Sequence, residues 1–208
     1  IESKIKEMGN LKLTSSAFED GGEIPRECGY KNGNISPPLK ITSPTGTKSI
    51  ALIMDDPDAM GAVGKVWVHW VMYNIMSKSL FRAKVHNVEI PMGDAVTNPL
   101  TITQWKQAHG DQIKANREYL KEYNQKRFGD WESNVSGLVG LNDFGEFDYG
   151  GPAPPDKRHT YIFKVYALDI GRLPLLPGAD QPGTKSDVEK AMEGHIIEQT
   201  QLTGTYAP

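Results

Sequence analysis

Two neighbouring apolar runs of this chain contain polar side chains that buried strands rarely hold. The first run ends in an acidic turn with Asp55, Asp56 and Asp58, and His69 interrupts the second run, residues 66–75. A carboxylate near an imidazole orients the ring and favours its charged form, which helps a protein to hold an anion. We interpret these residues as one wall of a polar pocket.

The other wall of the pocket is predicted downstream, where His159 and Tyr161 follow a loop rich in glycine and proline. Residues two apart on a strand face the same side of a sheet, so this imidazole and this phenol point together. Glycines in the loop let backbone N–H groups approach a ligand closely. If the strands of His69 and His159 belong to one sheet, these groups form a set of donors for an anion such as phosphate.

Each polar residue also has an ordinary structural explanation. A histidine in a strand is commonly a satisfied core residue, and an acidic turn is commonly solvated. His195 is interpreted as a packing or interface residue, and the single cysteine, Cys28, as unreactive. A metal-dependent hydrolase with two histidines and one carboxylate as ligands stays open as an alternative. The sequence has no H-x-x-x-H or H-E-x-x-H pair to support that alternative.

Composition limits the classes of function. The chain has 208 residues, 38% hydrophobic and 24% charged, which is typical of one soluble globular domain. A net charge of −3 without a basic block predicts no nucleic-acid partner. No apolar run is long enough for a transmembrane segment, and no secretory signal is visible. One cysteine fits a reducing compartment, so a cytoplasmic location is expected.

The elements that must position the pocket are predicted to be mainly β-strands. Short strands are predicted at residues 11–15, 39–42, 49–54, 66–75, 85–91, 159–168 and 202–206. Alternation within residues 66–75 places Val66, Val68, Trp70 and Met72 on one face and Trp67, Val71 and Tyr73 on the other.

Two segments of the chain have a helical pattern instead. An inserted segment at about 103–128 is predicted to contain a helix over residues 111–127. Ser186 and Glu189 have the spacing of a capping box that opens a C-terminal helix, whose predicted stripe includes His195 and extends to Ile196. We find no linker or internal repeat, and we predict a single domain over residues 1–208.

Several motifs occur in a fixed order along the chain. They are Asp56-Pro57-Asp58-Ala59, Trp67-Val68-His69-Trp70, Asn142-Asp143-Phe144-Gly145, Tyr149-Gly150-Gly151-Pro152 and His159-Thr160-Tyr161. This series resembles the signatures of the phosphatidylethanolamine-binding proteins, the family of Raf kinase inhibitor protein, and is most similar to its bacterial and archaeal branch.

The resemblance implies an antiparallel β-sandwich, with a large central sheet packed on a smaller sheet and helices at the periphery. It implies a binding protein without cofactor, metal or catalytic residues. The implied partners are a small anion or phosphorylated head group, and a kinase or serine protease that the protein inhibits. Prokaryotic members suggest a homodimer. The implied ligand-binding residues are Asp56, Asp58, Trp67, His69, Gly151, Pro152, His159 and Tyr161.

Three features depart from the family pattern. Met60 replaces a usual proline, which predicts a looser loop after Asp58, and Ala153 stands where proline or cysteine is usual. The span from Asn74 to Asn142 is longer than expected, which the inserted segment explains. A serine protease inhibitor that presents an extended surface loop, at residues 152–157 or 174–182, is the second functional hypothesis.

Overall fold

The computed structural model describes residues 10–77, 86–90, 92, 135–175 and 183–208. Its strands are β1 (Lys12–Thr14), β2 (Gly22–Glu23), β3 (Leu39–Ser43), β4 (Ser49–Asp56), β5 (Trp67–Ser77), β6 (His86–Ile90), β7 (Val135–Val139), β8 (His159–Leu168) and β9 (Ile196–Tyr206). Its α-helices are α1 (Ala59–Val63) and α2 (Lys185–Met192). The predicted inserted segment, 103–128, lies outside the described residues.

The described strands form two sheets, one of three strands in the order β1-β3-β6 and one of six in the order β2-β9-β8-β4-β5-β7. All pairings are antiparallel except the short parallel pairing of β2 with β9. β4 lies between β5 and β8, so the strands of His69 and His159 belong to the same sheet. This confirms the condition on which the predicted pocket depended.

One hydrophobic core fills the space between the two sheets. Ile41 and Val88 of the small sheet belong to the same cluster as Leu52, Trp70 and Phe163 of the large sheet. A second cluster covers the opposite face of the large sheet, where α2 contributes its buried residues. The predicted sandwich is therefore confirmed, and the large sheet has one face towards the small sheet and one towards α2.

The alternation predicted for β5 is broken by a β-bulge. The pairing with β4 passes from Met54–Trp70 directly to Asp55–Val68, so His69 is an extra residue on β5. Val68 consequently packs with the cluster on the α2 face, and its predicted place beside Trp70 is wrong. A bulge gives two consecutive side chains similar directions, so it brings His69 to the face that looks towards the small sheet.

The C-terminal helix begins and ends earlier than the sequence pattern predicts. Thr184 is its N-cap, and the capping box pairs Thr184 with Asp187 where Ser186 and Glu189 were predicted. The helix ends at Met192, and Gly194 with φ of 78° turns the chain into β9. His195 is therefore not on the helix, and its imidazole contacts Asp169 instead.

Two local predictions near the acidic turn are also wrong. Asp55 is a residue of β4, 1% exposed, and its Oδ2 accepts hydrogen bonds from two lysines at 2.6 and 2.9 Å. After Asp58 the chain forms α1 where a looser loop was predicted at Met60. The Asp56 carboxylate anchors this helix by accepting the Ala59 N–H at 3.1 Å.

Candidate functional site

His69 is buried and held from two directions by Gly150. Its Nδ1 lies 2.7 Å from the Gly150 carbonyl oxygen, and its own carbonyl accepts the Gly150 N–H. A carbonyl oxygen can only accept, so Nδ1 carries the proton of this bond. Burial lowers the pKa of His69 below its ordinary value, against the opposing effects of Gly150 and Asp56. The neutral ring therefore offers Nε2 as a hydrogen-bond acceptor.

His159 is bound by a carboxylate on each ring nitrogen. Nδ1 lies 2.7 Å from Asp56 Oδ2, and Nε2 lies 2.9 Å from Asp156 Oδ1. Burial opposes the charged ring, but the hydrogen bonds to Asp56 and Asp156 outweigh burial and raise the pKa of His159. Two acceptors require two N–H donors, so the imidazolium is the favoured form. Asp56 thus contacts the ring of His159, and Asp156, for which no role was predicted, contacts it as well.

Tyr161 lies between the two histidines and has an unused donor. Its ring centroid is 5.1 Å from that of His69 and 6.4 Å from that of His159. Its hydroxyl is buried and makes no well-formed hydrogen bond among the described residues, although the Asp56 carboxylate and the Ala153 backbone lie near enough to shift its pKa. Burial and the negative charge of Asp56 raise its pKa well above the ordinary value for tyrosine, so the O–H stays protonated. The indole N–H of Trp67 is buried and unpaired in the same sense.

An aromatic wall adjoins His69. The Phe144 ring meets the rings of Trp67 and His69 edge to face at centroid distances of 5.4 Å each. Tyr30 stacks on Phe144 at 4.2 Å with an interplanar angle of 6°. Tyr30, Phe144 and Trp67 are all partly exposed. The site therefore combines a polar centre with an apolar flank.

Gly151 and Pro152 pack against residues 28–30 and do not present free donors. The Gly151 N–H donates to Asn34 Oδ1 at 2.7 Å, and the Pro152 carbonyl accepts the Tyr30 N–H. A Cβ at Gly151 would overlap the Cys28 carbonyl oxygen and lie 2.8 Å from the Tyr30 nitrogen, so glycine is required there. The prediction that the Gly151 N–H is offered to an anion is wrong, because Asn34 already occupies it.

Asp58 binds backbone and does not contact either imidazole. Its Oδ2 accepts the Thr160 N–H at 2.8 Å, which fixes the start of β8. Of the two carboxylates that were predicted to orient the histidines, Asp56 contacts a histidine ring and Asp58 binds backbone. Asp58 still supports the site, since it holds the backbone between His159 and Tyr161.

The loop at residues 142–149 contributes side chains that position the aromatic wall. Asn142 Oδ1 accepts the N–H groups of Phe144 and Glu146, and Asp143 Oδ2 accepts the Val68 N–H at 2.7 Å. The loop is thereby attached to the beginning of β5, next to Trp67 and His69. The sequence showed these residues only as part of a family motif, and their hydrogen bonds explain why an amide and a carboxylate are needed.

Neither a metal cluster nor a membrane helix is found in the described part of the chain. No group of three or more His, Cys, Asp or Glu residues there is arranged to hold a metal ion. No helix of the described residues is long and apolar enough to cross a bilayer.

Comparison with known proteins places the chain in a family. The family model for phosphatidylethanolamine-binding protein matches residues 14–207. The "UPF0098 protein" of Methanothermobacter thermautotrophicus is 36% identical over 197 residues, which are 94% of this chain and 98% of that protein. The "UPF0098 protein" of Chlamydia muridarum is 33% identical over 199 residues, with the same shares of each chain.

Two crystal structures are similar along almost the whole chain. A phosphatidylethanolamine-binding protein homologue from Chlamydia trachomatis matches with a TM-score of 0.61 and 30% identity, covering 96% of this chain and 98% of its own. YbcL of Escherichia coli, described as a member of the mammalian family, matches with a TM-score of 0.62 and 25% identity, covering 95% and 98%. The chain belongs to the phosphatidylethanolamine-binding protein family.

Proposed function

We propose that this protein binds a small phosphate-like anion or a phosphorylated head group between His69, His159 and Tyr161. Trp67 and Phe144 flank the bound group, and Asp56 and Asp58 maintain the geometry of His159 and of the strand that carries it. The protein acts by binding this ligand and, through it, by regulating a partner protein.

The unpaired hydroxyl of Tyr161 is the observation that carries the proposal. A buried donor without an acceptor costs about 1–3 kcal/mol, and buried donors in proteins are nearly always satisfied. Tyr161 lies between an imidazolium and a neutral imidazole, both buried. An oxygen atom of a ligand bound at this point would accept the Tyr161 O–H.

The protonation state of His69 narrows the class of ligand. Because Nδ1–H is bound to Gly150, the neutral ring can only accept at Nε2. A ligand that contacts both histidines therefore needs acceptor oxygens for Tyr161 and His159 and one donor for His69. Hydrogen phosphate has such a set, and so does a phosphorylated head group with an ammonium.

The regulatory partner is proposed on family membership alone, as a kinase or a serine protease. The loop hypothesis for protease inhibition stays a prediction. In residues 152–157, the Asp156 side chain is bound to His159, and most of residues 174–182 lie outside the described part of the chain. The cytoplasmic location, the homodimer and the single domain also stay predictions.

Titration with inorganic phosphate by calorimetry tests the proposed site. The variants are His69→Gln and His159→Gln, with His195→Gln as the matched control, because His195 also pairs with an aspartate but lies outside the site. We expect wild type and H195Q to bind phosphate equally, and each of the other two variants to lose at least tenfold in affinity, since each removes one ligand contact. Equal affinity of H159Q and wild type would overturn the proposal.

A further inference from the structure

The two carboxylates that bind His159 are not equivalent. The Asp56 side chain is 5% exposed, belongs to a central strand and also accepts the Ala59 N–H. The Asp156 side chain is 50% exposed and lies on the loop that precedes β8. Asp56 is therefore a fixed part of the site, whereas Asp156 reaches the buried ring from the solvent side.

Asp156 can leave His159 without a movement of the backbone. Two residues before it Pro154 is buried, and two residues after it Arg158 contacts Glu23 and Thr205. Farther along, the Asp58 carboxylate accepts the Thr160 N–H. Rotation of the half-exposed Asp156 side chain into water is thus sufficient to free Nε2–H.

The freed Nε2–H is the one donor of His159 that a ligand can reach, because Asp56 occupies Nδ1. Asp156 occupies the same N–H with a carboxylate oxygen, which is the kind of atom an anionic ligand would bring. A group tethered in the same chain acts at a high effective concentration, so it competes with free ligand far better than dissolved carboxylate does. The apparent dissociation constant equals the intrinsic one divided by the fraction of time that Asp156 leaves the site free.

We propose that Asp156 is a specificity-determining residue of this pocket. Its carboxylate occupies His159 Nε2–H, where a ligand oxygen would bind, so a ligand must displace it. Monocarboxylates bind too weakly to displace it. The inference rests on the proposed function. Phosphate displaces the Asp156 carboxylate because it has more charge and more acceptor oxygens than a monocarboxylate, so it also accepts the hydrogen bond of Tyr161.

The test compares phosphate and acetate binding by calorimetry at fixed pH and ionic strength. The variants are Asp156→Asn, which keeps the shape but forms only a neutral hydrogen bond, and Asp156→Ala, which removes the competitor. Asp169→Asn is the matched control, because it removes one aspartate from an exposed pair with His195 at the other end of β8, roughly 30 Å away.

We expect D156A to bind phosphate about tenfold more tightly than wild type and D156N to lie between them, as fits the loss of one charge-assisted hydrogen bond. Acetate binding should become measurable in D156A alone or in both Asp156 variants, and D169N should match wild type. If the wild type binds phosphate and both Asp156 variants bind it equally or more weakly, the inference is overturned and the proposed function stands. No phosphate binding by any of these proteins overturns both.

Discussion

Asp55 and Asp56 are consecutive, buried residues of β4, yet they lie on opposite faces of the large sheet and have different partners. Asp55 faces α2 and binds Lys164 and Lys185. Asp56 faces the small sheet and binds His159. The partners of Asp55 are two ammonium groups, whereas the partner of Asp56 is an imidazole, the one side chain whose ordinary charge change falls near neutral pH.

This difference separates a structural ion cluster from a candidate site. Lys185 comes from the first turn of α2, so Asp55 helps to attach that helix to the sheet. A groove of about 380 Å³ on that face is lined by Lys164, Tyr166, Gln199, Thr200 and Gln201, none of them a histidine. The two buried histidines and the unpaired Tyr161 hydroxyl lie on the Asp56 face, whereas the unpaired oxygen on the other face, Asp55 Oδ1, belongs to a carboxylate that two lysines already bind.

The double variant Lys164→Met, Lys185→Met should have the largest effect on stability. It leaves the Asp55 carboxylate buried without a counter-ion, which costs about 3 kcal/mol of unfolding free energy, at the low end of the range for buried pairs because both lysines are partly exposed. Urea denaturation measures the loss, and Lys190→Met on the exposed side of α2 is the control. If the double variant lost less than about 1 kcal/mol of unfolding free energy, or bound phosphate more weakly, the Asp55 cluster would not be a purely structural counterpart of the Asp56 site.

Gly151→Ala, on the Asp56 face, should lower the free energy of unfolding by about 2 kcal/mol, because the added methyl group collides with the backbone of residues 28–30. Gly171→Ala is the matched control, since nothing lies within 4 Å of a Cβ built there and its φ is not positive. Thermal and urea unfolding of the two variants give the comparison. Equal stability of G151A and G171A would contradict this prediction, because it would show that residues 28–30 can move away from position 151.

Asp56→Asn should mainly affect binding. The amide keeps the size of the side chain but weakens the bond to His159 Nδ1, and the pKa of His159 should fall towards its ordinary value. We expect phosphate affinity to drop about tenfold and unfolding free energy to drop by roughly 1 kcal/mol. Asp20→Asn, at an exposed turn, is the control for the lost charge. A larger loss of stability than of binding energy would assign Asp56 a structural role like that of Asp55.

The pH dependence of stability should show the smallest effect. The pKa of His159 is raised in the folded state, so its stabilising contribution is complete below about pH 6.5 and is lost as the pH rises through the folded value. His69 has a lowered pKa, so its burial destabilises the fold as the pH falls below about 6.5. Urea unfolding from pH 5.5 to 8.5 should show a decrease of less than about 1 kcal/mol at the alkaline end that H159Q lacks. If wild type and H159Q showed the same change of unfolding free energy with pH, the decrease could not be assigned to His159.

Local pattern was enough to predict the features that follow from strand geometry. The period of two in β8 correctly placed His159 and Tyr161 on one face, and the apolar runs correctly located β4 and β5. The pairing of Asp56 with His159 followed once both strands belonged to one sheet. These inferences need only the alternation of side chains along a strand.

Features that depend on distant parts of the chain could not be predicted. The bulge at His69 results from the register between β4 and β5, so the pattern of β5 alone could not show it. Asn34 reaches Gly151 across 117 residues of sequence, which is why its occupation of that N–H was missed. Asp156 precedes His159 by three residues, but an acid in a loop is usually solvated, and only the folded structure shows it on the ring.

The central claim is that His69 and His159 share one anion on the Asp56 face. Side-chain nitrogen NMR of the wild-type protein during a phosphate titration observes both rings and His195 together. We predict that the resonances of His69 and His159 shift with one common dissociation constant, while those of His195 stay in place. Unmoved resonances of His69 and His159, or shifts that merely parallel those of His195, would contradict the claim.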